Sequence, residues 1–330
     1  MDSQIVAVYC LCDDLLKALY HYEDKQCRLS DAEIMTIAIT AMLYFRGNFE
    51  TARRFLQEQK YIPTTLSKSR FNRRLHRIAG LFLSLFGMLG ETWKALNVHS
   101  IYVIDSFPIP ACDNYRILRS KRYQGEVWRG RQASKRRFFY GLKLHLMVTE
   151  QGQPVEFFLT PGSTSDTRAM KDYLFDLPEG AWVTGDKAYT DYTVEDVFTE
   201  AQRCLLPLRK SNSMRPVKPW IHYLQASYRK VIETTGSLIE KLMPKFGGAV
   251  TVFGSQTSLN DLPYACACAP GGAPMFRPDL GPLPLRLLTW LFRRGFLLLR
   301  HEPSGDSVAA YPFSRRPVKQ KYLELPQFST

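Results

Sequence analysis

The chain has 330 residues, 45% of them hydrophobic and 23% charged, so it can bury a sizeable core without disulfide bonds or structural metal ions. Its formal net charge of +13 favours a polyanionic partner, either nucleic acid or an anionic membrane surface. No segment approaches the ~20 consecutive apolar residues of a membrane span, and the first residues include acids where a signal peptide needs basic residues. The seven scattered cysteines lack the spacing of zinc ligands and indicate reduced thiols in a cytoplasmic protein.

Residues 1–98 are predicted to form a helical domain. Ser30 and Glu33 make an S-x-x-E capping box at the start of one helix, and further helices are predicted over residues 49–60, 65–78 and 80–96. The helix over 65–78 is basic, and three of its residues are predicted to bind DNA: Arg70, Arg73 and Arg74. The alternative is a dimerisation or packing domain with a solvated basic face.

Residues 99–248 change to a pattern of strands and helices. Strands are predicted at 101–105, 138–148, 154–160, 182–184 and 204–208, and helices at 164–175, 194–201 and 227–243. The resulting order, β-β-β-α-β-α-β-α, predicts an α/β domain with a mixed sheet and helices on its faces.

Three acids of this domain are predicted to form a catalytic, metal-binding site. Asp105 and Asp186 each follow a short apolar strand, and the carboxyl ends of strands carry the sites of open α/β sheets. If the two strands are neighbours, the carboxylates lie about one strand spacing (~5 Å) apart and could bridge a hard divalent cation. Glu233 on the last helix is the candidate third ligand, with Arg229 one helical turn before it. Three carboxylates can hold two Mg²⁺ or Mn²⁺ ions for in-line phosphoryl transfer.

The segment over residues 113–143 connects the first two predicted strands and holds ten basic residues against two acids. Tyr115, Tyr123, Trp128 and Tyr140 alternate with the basic residues and could stack on unpaired bases. We predict that the segment binds DNA phosphates through nine basic residues: Arg116, Arg119, Lys121, Arg122, Arg129, Arg131, Lys135, Arg136 and Arg137. The alternative is a solvated loop whose aromatic side chains pack internally.

Residues 249–330 form a tail that contains half of the chain's 20 prolines. Apart from one helix predicted over 285–299, the tail is expected to be irregular. We hypothesise that it stems from a frameshifted or truncated gene copy. In that case, correcting the reading frame in the source DNA would restore a helical ending.

Four motifs resemble DDE transposases of bacterial insertion sequences, in particular the insertion sequence 982 family. They are VIDSFPIP around Asp105, YGLKLHLMVTEQGQPVEFFLTPGSTSDTRA, VTGDKAYTDY around Asp186, and RKVIETTGSLIEKL around Glu233. The resemblance covers about residues 1–250 and implies a ribonuclease-H-like fold. It also implies that this triad cleaves the ends of an insertion sequence with Mg²⁺ and transfers the strands into target DNA. Arg229 matches the family's accompanying arginine, Lys241 lies one place after its usual lysine position, and both are predicted to bind DNA.

Taken alone, each acid has an ordinary structural explanation, as a helix cap, a turn residue or part of a solvated helix face. The leading prediction is a cytoplasmic, nucleoid-associated bacterial transposase that acts on double-stranded DNA as a homodimer, with no membrane partner. One alternative is a catalytically impaired relative that only binds DNA. Another is a ribonuclease-H-like nuclease without strand transfer.

Overall fold

The capping box at Ser30 begins the second of five helices that precede the sheet. The computed structural model describes residues 2–119, 123–132 and 135–242. Ser30 Oγ accepts a hydrogen bond from the backbone N–H of Glu33 at 3.1 Å, and Glu33 Oε2 accepts one from the N–H of Ser30 at 2.7 Å, which confirms the predicted cap. The helices are α1 (Asp2–Ala18), α2 (Asp31–Tyr44), α3 (Phe49–Glu58), α4 (Lys68–Arg77) and α5 (Ala79–Leu96).

The six-stranded sheet is mixed. Its strands are β1 (Ile101–Asp113), β2 (Arg129–Gln132), β3 (Arg137–Thr149), β4 (Pro154–Pro161), β5 (Trp182–Gly185) and β6 (Cys204–Leu205). β1 lies between an antiparallel neighbour, β3, and a parallel neighbour, β5. β6 continues the parallel half next to β5, whereas β2 and β4 both pair antiparallel with β3.

Helices follow and separate the later strands. They are α6 (Asp166–Asp172), α7 (Tyr192–Glu200) and α8 (Pro219–Leu242), and 3₁₀ helices span Asn114–Arg119, Glu126–Trp128 and Lys187–Tyr189. The predicted mixed α/β sheet with helices is therefore confirmed.

The five N-terminal helices and one face of the sheet share a hydrophobic core. Nearly every residue of α2 is buried in it. Phe86 of α5 packs edge-to-face on Phe157 of β4, with 5.0 Å between the ring centroids. A Cβ atom at Gly90 would lie 2.5 Å from the carbonyl oxygen of Val155, so this glycine permits the close approach of α5 to β4. The division into domains at residues 98 and 99 stays a prediction.

β1 extends to Asp113, whereas the sequence predicts a strand that ends at Asp105. β5 pairs with β1 only as far as Ile104, so the rest of β1 has β3 as its sole sheet neighbour among the described strands. Prolines are tolerated on such an edge, which explains how Pro108 and Pro110 remain within the strand.

Two other elements differ from the prediction. β2 has the sequence RGRQ, which lacks the alternation of apolar residues that predicts a strand. It is a strand because it pairs antiparallel with β3. α8 begins at Pro219 rather than near Ser227, because proline suits the first turn of a helix. No helix in the described ranges is long and apolar enough to cross a bilayer.

Candidate active site at the carboxyl edge of the sheet

Asp105 and Asp186 lie at the edge of the sheet where β5 ends, Asp105 within β1 and Asp186 directly after β5. β1 and β5 are parallel, and Ile104 pairs with Gly185 in the last step of their register. Asp105 and Asp186 directly follow this residue pair, so the condition that the two strands be neighbours is met. Both acids line one pocket at this edge of the sheet.

The Asp105 carboxyl group is held in an environment that disfavours its charge. Its pKa is raised to about 7, mainly by burial and to a lesser extent by the negative charges of Asp186 and Asp166. The backbone N–H of Ser106 donates a hydrogen bond to Asp105 Oδ1 at 2.7 Å and opposes this shift. A group with these neighbours is poised to accept a proton or a cation.

Asp186 is more open to solvent and begins the short 3₁₀ helix that follows β5. Its Oδ1 accepts a hydrogen bond from the backbone N–H of Lys187 at 2.7 Å. The guanidinium group of Arg229 lies 3.5 Å away from the same oxygen. The side chain of Asp186 is 39% exposed, so solvent and ligands can reach its carboxylate.

α8 brings one of its faces to this pocket. Gln225, Arg229 and Ile232 line the pocket and are spaced by four and three residues, which places them on one side of a helix. Gly236 continues this face, and a Cβ atom there would lie only 1.9 Å from the ring of Phe107 in β1. The helix is therefore packed directly against the strand that carries Asp105.

The third predicted acid, Glu233, lies beside the pocket rather than in its lining. Its Oε1 accepts a hydrogen bond from Arg229 Nε at 2.7 Å, and its side chain is 52% exposed. Arg229 thus links Glu233 to Asp186. The structure brings Asp105, Asp186 and Arg229 to one pocket, and joins Glu233 to them only through the arginine.

The donor set at the pocket suits a hard divalent cation, because carboxylate oxygens are the ligands that Mg²⁺ and Mn²⁺ prefer. A cation there would also offset the repulsion between Asp105 and Asp186. In the part of the chain that the structure describes, no group of three or more His, Cys, Asp or Glu residues could hold a metal ion. To become the third ligand of such a cation, Glu233 would have to give up its hydrogen bond with Arg229.

A further acid, Asp166, lies within electrostatic range of Asp105. It begins α6, and its Oδ1 is 3.2 Å from Lys143 Nζ in a pair whose side chains are 18% and 17% exposed. The helix itself is capped by Ser165, whose Oγ accepts a hydrogen bond from the N–H of Arg168 at 3.3 Å. In the sequence Asp166 is a candidate helix cap, a role that Ser165 has instead, and no sequence pattern places Asp166 at the site.

The predicted DNA-binding residues of α4 fall into two groups. Arg70 and Arg73 are exposed. Arg74 is only 12% exposed and pairs with Asp31 and with Glu23, at 2.5 and 2.8 Å. These ion pairs give Arg74 a structural role. DNA contact stays a prediction, and Arg70 and Arg73 are the residues of α4 that are exposed to make it.

The described residues of the basic segment include two 3₁₀ helices and the paired strands β2 and β3. Arg119, Arg131, Lys135 and Arg136 are exposed, and Arg129 and Arg137 are partly so. The guanidinium of Arg129 lies over the ring of Phe138, 4.5 Å from its centroid.

Three of the four aromatic residues proposed for base stacking are instead buried: Tyr123, Trp128 and Tyr140 are 8%, 6% and 7% exposed. Tyr123 and Trp128 pack edge-to-face at 5.1 Å, as expected of side chains that hold the segment together. Base stacking by these three is therefore wrong for this conformation, and only Tyr115, at 72%, is exposed.

Lys121, Arg122 and the proline-rich tail over 249–330 lie outside the described residues. For Arg116 and Lys241 the backbone alone is described, in a 3₁₀ helix and in α8.

Two solved transposase structures are remote matches. The synaptic complex of piggyBac transposase with hairpin DNA has 12% sequence identity and a TM-score of 0.30, over 64% of this chain and 43% of that chain. This chain therefore spans less than half the length of that transposase. The paired-end complex of Mos1 transposase with the left transposon end has 15% identity and a TM-score of 0.21, over 67% of this chain and 80% of that chain. With TM-scores this low, neither match indicates a fold or a function for this chain.

Sequence comparison is more informative. No curated protein sequence matches the chain. Residues 96–244 match the protein family described as "Transposase DDE domain". This region, which includes Asp105, Asp186 and Glu233, is therefore similar to transposase DDE domains.

Proposed function

We propose that this protein is a DDE transposase, which cuts DNA at the ends of an insertion sequence and joins the cut strands to target DNA. The observation that carries the proposal is the meeting of Asp105 and Asp186 in one pocket with Arg229, inside a region similar to transposase DDE domains. The strand order supports the ribonuclease-H-like fold of such enzymes, since antiparallel β1, β3 and β4 are followed by parallel β5 and β6.

In this proposal Asp105 and Asp186, joined by Glu233, would hold two Mg²⁺ or Mn²⁺ ions, which activate the attacking hydroxyl group and stabilise the leaving oxygen. The side chain of Arg229 is 46% exposed, and its guanidinium group can donate paired hydrogen bonds to a phosphate. Phosphate contact would draw Arg229 away from Glu233. That exchange would free the Glu233 carboxylate to join the other two acids.

The partner is double-stranded DNA, both as the ends of the element and as the target. The exposed basic residues of α4 and of the β2–β3 hairpin support this part of the proposal, because phosphate contacts supply most of the affinity of such proteins for DNA. Joining two ends of one element requires two active sites, so a homodimer is the simplest assembly. We further propose a bacterial, nucleoid-associated enzyme of the insertion sequence 982 family.

The test is metal-dependent cleavage of a supercoiled plasmid that carries the DNA flanking the gene. With Mn²⁺, the full chain is expected to nick this DNA, and Asp105→Ala should reduce the rate by more than about 100-fold, beyond the usual cost of losing an outer-sphere partner. Gel mobility of the DNA–protein complex should stay unchanged in the same variant. Sequencing of joined products then separates strand transfer from nicking alone.

The matched control is Asp172→Ala in α6, which removes an acid whose side chain is 60% exposed and which does not line the pocket. This variant should nick at the rate of the unaltered protein. Nicking that persists in Asp105→Ala would contradict the proposed function, and binding without nicking in the unaltered protein would favour the impaired relative.

A further inference from the structure

In the side-chain amide of Gln225 in α8, the nitrogen has a hydrogen-bond partner among the described residues and the oxygen has none. Its Nε2 donates a hydrogen bond to the carbonyl oxygen of Leu206 at 2.6 Å, which sets the orientation of the amide. Gln225 is 4% exposed. Its Oε1 is buried and accepts a hydrogen bond from none of the described residues.

An acceptor in this state is costly for the fold. A buried carbonyl-type oxygen without a donor destabilises a protein, so native structures rarely keep one without water, an ion or a ligand. Packing alone would be served by an apolar residue, as it is at Ile232 on the same face of α8. The amide at position 225 therefore indicates a group that is bound nearby during function.

The surroundings of Gln225 restrict what that group can be. It lines the pocket together with Asp105, Asp186 and Arg229. The two carboxylates and the amide oxygen all accept hydrogen bonds, so they suit a group that donates them, such as water or a hydroxyl. Arg229 contributes a positive charge at the same pocket, where a phosphate can approach.

We propose that Gln225 is a positioning residue for phosphoryl transfer, whose Oε1 accepts a hydrogen bond from the water or hydroxyl group at the Asp105–Asp186 pair. The inference rests on the proposed function. An amide oxygen is too weak a base to take the proton, so Gln225 orients the donor and takes no part in the bonds that form and break. Its Nε2 contact with Leu206 holds that oxygen in place between α8 and the chain that follows β6.

The experiment compares Gln225→Met with Thr235→Val in the full chain. Thr235 is also fully buried in α8, and its Oγ1 donates a hydrogen bond to the carbonyl of Val231 at 3.1 Å, but it does not line the pocket. Each substitution removes a buried polar group from the same helix. The measurements are the Mn²⁺ dissociation constant by calorimetry without DNA, the nicking kcat and KM on the plasmid, and the melting temperature.

Gln225→Met is expected to raise the Mn²⁺ dissociation constant about tenfold if Oε1 orients water around the cation, or to lower kcat about 10- to 100-fold if it orients the attacking hydroxyl. KM for DNA should not change, and Thr235→Val should change neither quantity. If Gln225→Met and Thr235→Val behave alike in both measurements, the inference is overturned.

A second variant, Gln225→Glu, keeps an acceptor at the pocket and should bind Mn²⁺ at least as tightly as the unaltered protein. A tenfold loss of affinity in this variant as well would overturn the inference even if Gln225→Met fails to fold. An unaltered protein that neither binds Mn²⁺ nor nicks DNA would instead remove the proposed function, and this inference with it.

Discussion

His145 is a buried imidazole in β3, close behind the candidate site. Its two ring nitrogens lie 3.2 Å from the Tyr189 hydroxyl and 3.0 Å from Thr160 Oγ1, and its ring stacks on Phe158 at 4.5 Å. Tyr189 belongs to the 3₁₀ helix that Asp186 begins. His145 thus connects the sheet to the segment that holds Asp186, one of the three catalytic candidates.

The pKa of His145 is lowered from 6.5 to about 3, mainly by burial and to a lesser extent by the positive charge of Lys143. In the unfolded chain the imidazole takes up a proton below pH 6.5, whereas in the folded protein it stays neutral down to about pH 3. Its contribution to stability is therefore complete above pH 6.5 and is lost as the pH falls towards 3. Between pH 7.5 and pH 5 the loss from this residue alone should be about 2 kcal/mol.

The check is urea unfolding of the unaltered protein and of His145→Gln at a series of pH values. Glutamine does not titrate, so the free energy of unfolding of the variant should fall by about 2 kcal/mol less over the same interval. The variant should also be less stable at pH 7.5, by about 1 kcal/mol, through its altered hydrogen bonds. Parallel pH curves for the two proteins would mean that the imidazole titrates freely in the folded state.

At the scale of elements, α8 is the part that assembles the site. It places Gln225 and Arg229 at the pocket and Glu233 beside it. Its distance from β1 is set at Gly236, where the ring of Phe107 occupies the space of a side chain. Phe107 is only two residues after Asp105, so the packing of this helix and the position of the first acid are directly coupled.

Gly236→Ala is therefore expected to disturb both stability and catalysis. A Cβ atom would lie 1.9, 2.5 and 2.6 Å from three ring carbons of Phe107, so either the ring or the helix must shift. Overpacking of this kind costs about 1–3 kcal/mol, which exceeds the gain of up to about 1 kcal/mol from replacing glycine in a helix. Thermal unfolding and the nicking assay measure the two effects.

The matched control is Gly87→Ala in α5, where an added Cβ atom would meet nothing within 4 Å. This variant should be neutral or slightly more stable, because only the helix propensity changes. Adding Phe107→Leu to Gly236→Ala should restore part of the lost stability. Equal stability of the two alanine variants would contradict the role assigned to Gly236.

At the scale of the whole molecule, the local patterns of the sequence predict most of the regular elements, but they miss β2 and the full lengths of β1 and α8. The capping box at Ser30 and the apolar strands before Asp105 and Asp186 are short-range signals, and each appears where it was predicted. The pairing of β1 with β5 was left as a condition at the level of the sequence, and the structure meets it.

Local patterns of the sequence do not predict contacts between residues that are far apart along the chain. The contact of Gly236 with Phe107 and the approach of Asp166 to Asp105 join residues that are far apart in sequence. The same holds for Tyr123, which reads as a surface aromatic beside basic residues but is buried against Trp128. Charge and spacing along the chain carry no information about which side of a hairpin faces the core.

The basic hairpin is also farther from the acids than the sequence suggests. In the register of β1 with β3, Asp105 pairs with Leu146, whereas Asp113 pairs with Phe139 near the start of β3. Eight residues of extended strand therefore separate Asp105 from the hairpin end of β1, which is roughly 25 Å. On a DNA duplex this corresponds to about seven base pairs, so the hairpin would contact DNA well away from the cleaved bond.

Arg136 and Arg137 at the start of β3 test this arrangement. Replacing both by glutamine should lower the slope of log K against log salt concentration by about 1.8 for duplex DNA, since each lost phosphate contact contributes about 0.9. A pair of equal charge, Lys17→Gln with Arg54→Gln, lies on exposed positions of α1 and α3 that are not predicted to bind DNA, and it should leave the slope unchanged. Footprinting should further show that the arginine pair loses protection about seven base pairs from the cut, while protection at the cut remains. An equal fall in slope for both pairs would mean that the net charge of +13 acts as a diffuse field and that the hairpin makes no particular contact.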